Sequence, residues 1–327
     1  MANLKTNYMG LELKNPIIAA SSPLTSNLDT IRKLEDSGVG AIVLKSIFQE
    51  QIDKDADSNV DIEQSFLNHS DAYGFLRGAS EDHFIDRYLT LVEDAKKACN
   101  IPIIASLNGV GAGSWIKEYA PRFAYCGADG FEINHYEIGS NANIDGKKME
   151  KDFIKFAKIA RNEIKLPLSL KMGYNFSSTA NIIRELDFLK YDALVLFNRF
   201  YNPDIDINKV SITKGNVTSS AEEYSNTLRW VGLMSEEINA DICANTGIHS
   251  GETIIKMLLA GASVVEICSV LMQTNFDSVN MMLEKLNNWM EIKGYSSIND
   301  FKGILAQEKM SDPSLWERTQ YIVSLHG

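Results

Sequence analysis

The chain has 327 residues, 45% of them hydrophobic and 23% charged, enough to bury one large core without disulfide or metal staples. Its formal net charge of −11 works against binding nucleic acid, whose phosphates require a basic footprint, and points to small molecules as partners. The opening Met1-Ala-Asn-Leu-Lys5 lacks the basic and apolar regions of a secretory signal, and no apolar run reaches the roughly 18 residues of a membrane span; a cytoplasmic protein that does not enter a membrane is expected.

Short apolar runs recur along the chain: Pro16 to Ala20, Ala41 to Lys45, Pro102 to Leu107, Gly130 to Asn134, Leu168 to Lys171, Ala193 to Phe197, Asp241 to Ala244 and Val264 to Ile267. Between them lie stretches with helical spacing: Leu28 to Ser37, Phe84 to Cys99, Met149 to Ile164, Ile182 to Leu189, Tyr224 to Ile238 and Thr253 to Leu259. Eight strands alternating with helices predict parallel pairing and an α/β fold, a single (β/α)8 TIM-barrel domain over residues 1–327. Two intervals, Phe48 to Ser80 and Asn198 to Ser220, are longer than simple βα loops and would emerge at the C-terminal rim, where a barrel builds its site. Within the second, Val210 to Thr218 is expected to form a hairpin turning at Lys214-Gly215-Asn216, followed by a helix starting at Ser219 with Glu222 completing a capping box.

The last strand ends carry the sharpest functional signal. Ala244-Asn-Thr-Gly-Ile-His-Ser-Gly-Glu-Thr253 offers a tight turn at Gly247 and a helix cap at Ser250, and the next strand supplies a second turn at Cys268-Ser269. Loops after the seventh and eighth strands of such barrels commonly converge on one phosphate, so a phosphorylated ligand is expected there, although Thr246-Gly247 could simply end a strand. Polar residues also mark the other strand ends: Ser21 and Ser22, Lys45 and Ser46, Asn108, Asn134, Lys171 and Asn198. Lys45 and Lys171 both follow apolar runs, which would partly desolvate their ammonium groups and suit an anion or an electron-rich ring; a desolvated lysine can instead form a Schiff base. Gly109-Val-Gly-Ala-Gly-Ser114 has Ser114 where a dinucleotide fingerprint needs its third glycine, and a βα turn explains it. Cys99, Cys126, Cys243 and Cys268 are widely spaced and are expected to be reduced; neither they nor the five histidines have metal-ligand spacing, so no metal is expected.

Asn15-Pro-Ile-Ile-Ala-Ala-Ser-Ser22, Leu44-Lys-Ser46, Phe131-Glu-Ile-Asn134, Leu168-Ser-Leu-Lys171, the two phosphate turns and the tail Lys293 to Gly303 together resemble the dihydroorotate dehydrogenase family, specifically its soluble, FMN-binding class. The resemblance covers nearly the whole chain. It implies FMN as cofactor, with Ala20, Ser21, Lys45, Ser46, Asn134 and Lys171 around the isoalloxazine and Thr246, Gly247, Ile248, Cys268 and Ser269 at the phosphate. It also implies a homodimer and a substrate lying over the flavin near Asn134 and Asn198.

The phosphate turns depart from the family's usual Gly-Gly and Gly-Thr, and two further departures stand out. Phe66 to Leu76 stands where the family has an Asn-x-Met-Gly-Leu run, leaving Asn68 and Gly74 as uncertain counterparts, and Glu137 stands where the family places its Cys or Ser base, with His135 and Tyr136 as alternatives. A carboxylate there can take a carbon-bound proton if burial raises its affinity for one. The leading expectation is an FMN-dependent oxidation of dihydroorotate or a related ring compound, with Glu137, Lys171, Asn134 and Asn198 in catalysis. A flavin protein without dehydrogenase activity and a Schiff-base lyase acting through Lys171 on a phosphorylated sugar stand as alternatives.

Overall fold

In the computed structural model, residues 2–48, 84–109, 116–117, 120, 122–123, 125–135 and 137–317 are described. The chain starts with β1 (Thr6–Tyr8) and β2 (Leu11–Leu13), then β3 (Ile17–Ala19), α1 (Leu28–Asp36), β4 (Ala41–Val43), β5 (Ile47–Phe48) and α2 (Phe84–Ala98). There follow β6 (Ile103–Asn108), β7 (Gly130–His135), α3 (Gly146–Glu163), β8 (Leu168–Met172), α4 (Thr179–Phe188) and β9 (Ala193–Leu196). A hairpin of β10 (Asp204–Asp206) and β11 (Ser211–Thr213) precedes α5 (Tyr224–Met234), β12 (Asp241–Ala244), α6 (Gly251–Ala260), β13 (Val264–Ile267), α7 (Ser269–Thr274) and α8 (Asp277–Lys293).

The strands β3, β4, β6, β7, β8, β9, β12 and β13 pair in parallel, and β13 closes the ring against β3, giving the expected (β/α)8 barrel. Strand alternation splits its residues into two apolar sets. Ile17, Ile42, Ile103, Ile133 and Leu170 face outward toward the helices, whereas Ile18, Val43, Ile104, Val195 and Val264 fill the inside. Helix starts obey ordinary capping: Asn27 accepts from the Thr30 N–H at 3.0 Å and Ser250 from the Thr253 N–H at 3.2 Å.

The N-terminal end of the barrel is closed by the β1–β2 hairpin. Its loop, Met9-Gly10, has φ of 53° and 76°, the positive pair that lets a two-residue turn follow strand twist. Met9 N–H donates to Asp241 Oδ2 at 3.0 Å, Thr6 Oγ1 donates to the Ser263 carbonyl at 3.0 Å, and Tyr8, Met9 and Leu13 join the inner apolar set. The plug packs closely on β7, where a Cβ on Gly130 would lie 3.0 Å from Met9 Cε.

The structure corrects two local expectations. The hairpin turns at 207–210, not at Lys214-Gly215-Asn216: Asp206 Oδ1 accepts from the Asn208 and Lys209 N–H groups at 2.9 and 3.0 Å, an arrangement that bends the chain earlier. The capping contact belongs to Ser220 and Glu223, one residue later than Ser219 and Glu222, with the Ser220 N–H donating to Glu223 Oε1 at 2.7 Å. Most of the long interval after the second barrel strand, including Asn68 and Gly74, lies outside the described residues, as do residues 110–114 of the glycine-rich turn.

Candidate functional site

The strand ends open into a cleft of about 750 Å³ at the C-terminal rim, opposite the plug. Its walls include Ala20, Ser21, Asn108, Asn134, Lys171 and Asn198 from the strand ends, and Thr246, Gly247, Ile248, Cys268 and Ser269 from the two turns after β12 and β13. Most residues named from sequence as polar strand ends, and both turns named for a phosphate, therefore face one space, whereas Ser22, Lys45 and Ser46 are not among its lining residues. Parallel register accounts for part of this: Asn108, Asn134 and Lys171 are successive partners across β6, β7 and β8.

The two turns adjoin through side chains. Thr246 and Gly247 have φ of 78° and 74°, and a Cβ on Gly247 would lie 2.2 Å from the Tyr224 nitrogen, so the turn after β12 has room only for glycine. Ser269 Oγ accepts from the Ser219 N–H at 2.9 Å, and Ser219 Oγ lies 2.9 Å from His249 Nε2. Burial lowers the pKa of His249 from its ordinary value, opposed by the Glu223 carboxylate. Arg199 reaches the same wall, with its Nε donating to Glu223 Oε2 at 2.8 Å. Ser250, named as a cap with helical N–H groups free for an anion, caps α6 with its own hydroxyl and is not part of the cleft wall; the turn residues themselves line it.

At the other end, Asn134 is buried and its Oδ1 has no hydrogen-bond partner among the described residues. A buried amide oxygen in a cleft wall without a donor is a vacancy for a ligand N–H. Lys171 Nζ crosses the barrel to Glu266 Oε2 at 2.9 Å, both side chains being buried. Lys45 and Ser46 are buried and are not among the residues lining the cleft. Phe48 lines the cleft and has the Lys45 ammonium 4.9 Å from its ring centroid, and Ser46 Oγ links Ser21 Oγ at 3.0 Å to Ser106 Oγ at 2.8 Å.

Glu137 is exposed and faces a neighbouring hollow of about 560 Å³, shared with Met149, Phe153, Phe176 and Phe200, rather than the cleft wall. His135 points to the outer layer: its Nδ1 is 2.6 Å from the Gly109 carbonyl oxygen and its ring stacks on Phe156 at 4.1 Å. Burial brings its pKa down to about 4, leaving a neutral packing residue. Tyr136 lies outside the described residues.

Sequence reasoning missed Phe48, Arg199, Ser219, Asn245 and Glu266 on the cleft wall. Glu266 was within reach of it, since a residue two before Cys268 on a strand shares its face. Ser219 and Arg199 arrive through the long loop after β9, which carries no periodic signal.

Comparison with known proteins adds an independent finding. A family model described as dihydroorotate dehydrogenase matches residues 3–290. The chain is 26% identical over 318 residues to the catalytic subunit of dihydroorotate dehydrogenase B (NAD(+)) of Thermoplasma acidophilum, covering 93% of this chain and 99% of the relative. It is 27% identical to the protein of the same name from Methanosarcina acetivorans, covering 91% and 94%. It is also 23% identical to the NAD-dependent dihydropyrimidine dehydrogenase subunit PreA of Escherichia coli K12, covering 92% of this chain and 76% of the relative.

Proposed function

The chain belongs to the dihydroorotate dehydrogenase family, and we propose that it is an FMN-dependent enzyme that oxidises dihydroorotate, or a related ring compound, across a CH–CH bond. The observation that carries this reading is the convergence on one cleft of a buried lysine and a donor-seeking amide at one end and the turns 246–248 and 268–269 at the other. These residues fit a flavin nucleotide: Asn134 Oδ1 has room for a ring N–H, and Ser219, Ser269 and Arg199 put donors beside the two turns for a phosphate. When bound, FMN would supply a two-electron hydride acceptor.

The protein's own groups then have distinct tasks. Lys171 supplies positive charge to the cleft, where it would stabilise electron density gained by a bound ring. Asn134 and Asn198 recognise ring amides and carbonyls, and Ala20 and Ser21 keep that end of the wall low. Lys45 and Ser46 support it through their contacts with Phe48 and Ser21. Glu137 is kept as the proposed acceptor of the carbon-bound proton on its place in the family pattern alone, because it is exposed and faces the adjoining hollow, so the burial that would raise its proton affinity is not supplied in this structure. The ion pair with Glu266 favours the charged form of Lys171, whereas a Schiff base needs the neutral amine; this supports the dehydrogenase over the lyase.

Association into a homodimer is part of the proposal, supported by the hairpin that carries Ile205, Ile207, Val210 and Ile212 at 66% to 86% exposure. A cytoplasmic location is proposed with it. Among the described residues no helix is long and apolar enough to cross a membrane.

The test is the visible spectrum of the purified protein, followed by anaerobic addition of dihydroorotate. A yellow protein that bleaches is expected. A colourless protein that cannot be reconstituted with FMN overturns the cofactor, and a yellow one that stays oxidised with dihydroorotate and related dihydropyrimidines identifies a flavin protein without this activity. Glu137→Gln is expected to slow flavin reduction by about 100-fold or more with FMN still bound, the scale of a lost general base; unchanged kinetics would remove Glu137 from the reaction.

A further inference from the structure

Below Lys171 the inside of the barrel holds a second carboxyl group. Glu132 on β7 and Glu266 on β13 are each 1% exposed, and both point inward by strand alternation. Glu266 Oε2 is taken by Lys171, but Glu266 Oε1 and both oxygens of Glu132 have no hydrogen-bond partner among the described residues. Two carboxylates are acceptors only, so neither satisfies the other until one of them carries a proton. Burial, then the Glu266 charge, push the Glu132 pKa well above its ordinary value, with Lys171 opposing.

Other polar groups stand around the pair. Tyr8 lies beneath it, and Cys243 faces it from β12; burial raises both pKa values, which keeps both groups neutral. Ser169 is the β8 partner of Glu132 across the sheet. Lys45, after β4 and beyond β6, brings a second buried ammonium, 4.9 Å from the Phe48 ring centroid. Of the four carboxyl oxygens Lys171 takes one, and a proton on one carboxyl would give the other carboxyl a second donor.

We propose that Glu132 and Glu266 hold a single proton between them beneath Lys171, and that Glu132 is thereby a positioning residue. The proton donates to Glu266, draws part of that carboxylate's charge away from Lys171 and leaves the ammonium available to the cleft. The identity of the cleft ligand rests on the function proposed above; the proton count does not.

Infrared spectroscopy of the full-length protein at neutral pH, in light and heavy water, tests the count. The wild type is expected to show one buried carboxylic-acid carbonyl band in addition to the ionised carboxylates. Glu132→Gln loses it. Glu266→Gln also loses it, because Glu132 then ionises as the counter-ion of Lys171, and Lys171→Met gains a second band. Absence of the band from the wild type, or its persistence in Glu132→Gln or Glu266→Gln, overturns the shared proton.

The positioning role has a separate reading in the FMN dissociation constant. Glu132→Gln, whose amide also donates to Glu266, is expected to keep it, while Glu132→Leu raises it by about tenfold, the scale of one hydrogen bond to a charged group. Equal constants for the Gln and Leu variants overturn positioning. If the protein binds no FMN at all, the proposed cofactor fails, while the band count still decides the proton.

Discussion

The two ends of the barrel are built from the same eight strands and treat water oppositely. At the N-terminal end, Tyr8, Met9 and Leu13 of the hairpin seal an interior lined by Ile18, Ala41 and Val264. At the C-terminal end, inward positions on those same strands become Ala20, Asn108, Asn134, Lys171 and Cys268 around a cleft. Between the two lies a buried polar layer, Ser169, Glu132 and Glu266. A barrel can thus separate stability from chemistry along its axis: one end excludes water to hold the strands together, and the other leaves polar groups for a ligand to satisfy.

Two substitutions would break that separation if it is wrong. Leu13→Ala in the fully buried plug is expected to cost about 2–5 kcal/mol of stability, by lost burial and the cavity left behind, and to leave the FMN dissociation constant unchanged. Denaturant unfolding with and without FMN checks both halves, and a large loss of affinity would mean that plug and cleft are coupled. Gly247→Ala does the reverse at the rim. Its Cβ would meet the Tyr224 nitrogen at 2.2 Å at a φ of 74°, so the turn must move. Backbone strain of this kind costs about 1–3 kcal/mol. Flavin affinity is expected to fall with it; unaltered affinity would detach the turn from the phosphate.

How much of this was legible beforehand follows from where the information sits. The run Ala193 to Phe197 covers β9, because a strand buried on both faces is written as a continuous apolar run. The polar strand ends were legible for the same reason: Asn134 and Lys171 interrupt such runs where the barrel opens. The plug was missed, since Thr6 to Tyr8 and Leu11 to Leu13 are too short to show a period, and their role depends on a barrel mouth far along the chain. Glu132 and Glu266 sit inside strands, where an acidic residue reads as an interruption until the opposite wall shows what it faces. The hairpin lies earlier than expected because Gly215 is a local turn signal, whereas the bend is made by Asp206 and its acceptance of two main-chain N–H groups.

The middle layer supplies a pH-dependent prediction of intermediate size. Glu132 has a raised folded-state pKa, so its protonated form is favoured in the folded protein relative to the unfolded chain. That contribution is fully present below the ordinary carboxylate value of 4.5 and is lost as pH rises toward the folded value, because unfolding then releases a proton. Glu132→Gln has no proton to lose. Its stability relative to wild type is expected to improve by about 1.4 kcal/mol for each pH unit within that window. Parallel melting curves from acid to neutral pH would show the two proteins diverging, and a constant difference would place an ionised Glu132 inside the barrel.

The smallest effect separates two ways of gripping an anion at the rim. In one, the N-terminus of α6 faces the phosphate, so its first-turn N–H groups and their cap matter to the ligand. In the other, the turns 246–248 and 268–269 form the wall and α6 only supports them. Ser250 distinguishes these because its hydroxyl already accepts from the Thr253 N–H at 3.2 Å and it lies outside the residues lining the cleft. Ser250→Ala is expected to cost about 1 kcal/mol, the ordinary value of a lost cap. Its FMN dissociation constant should match that of the wild type, in contrast to Gly247→Ala. Weaker binding in Ser250→Ala, out of proportion to the lost stability, would return α6 to the anion site and move the grip from the turns to the helix.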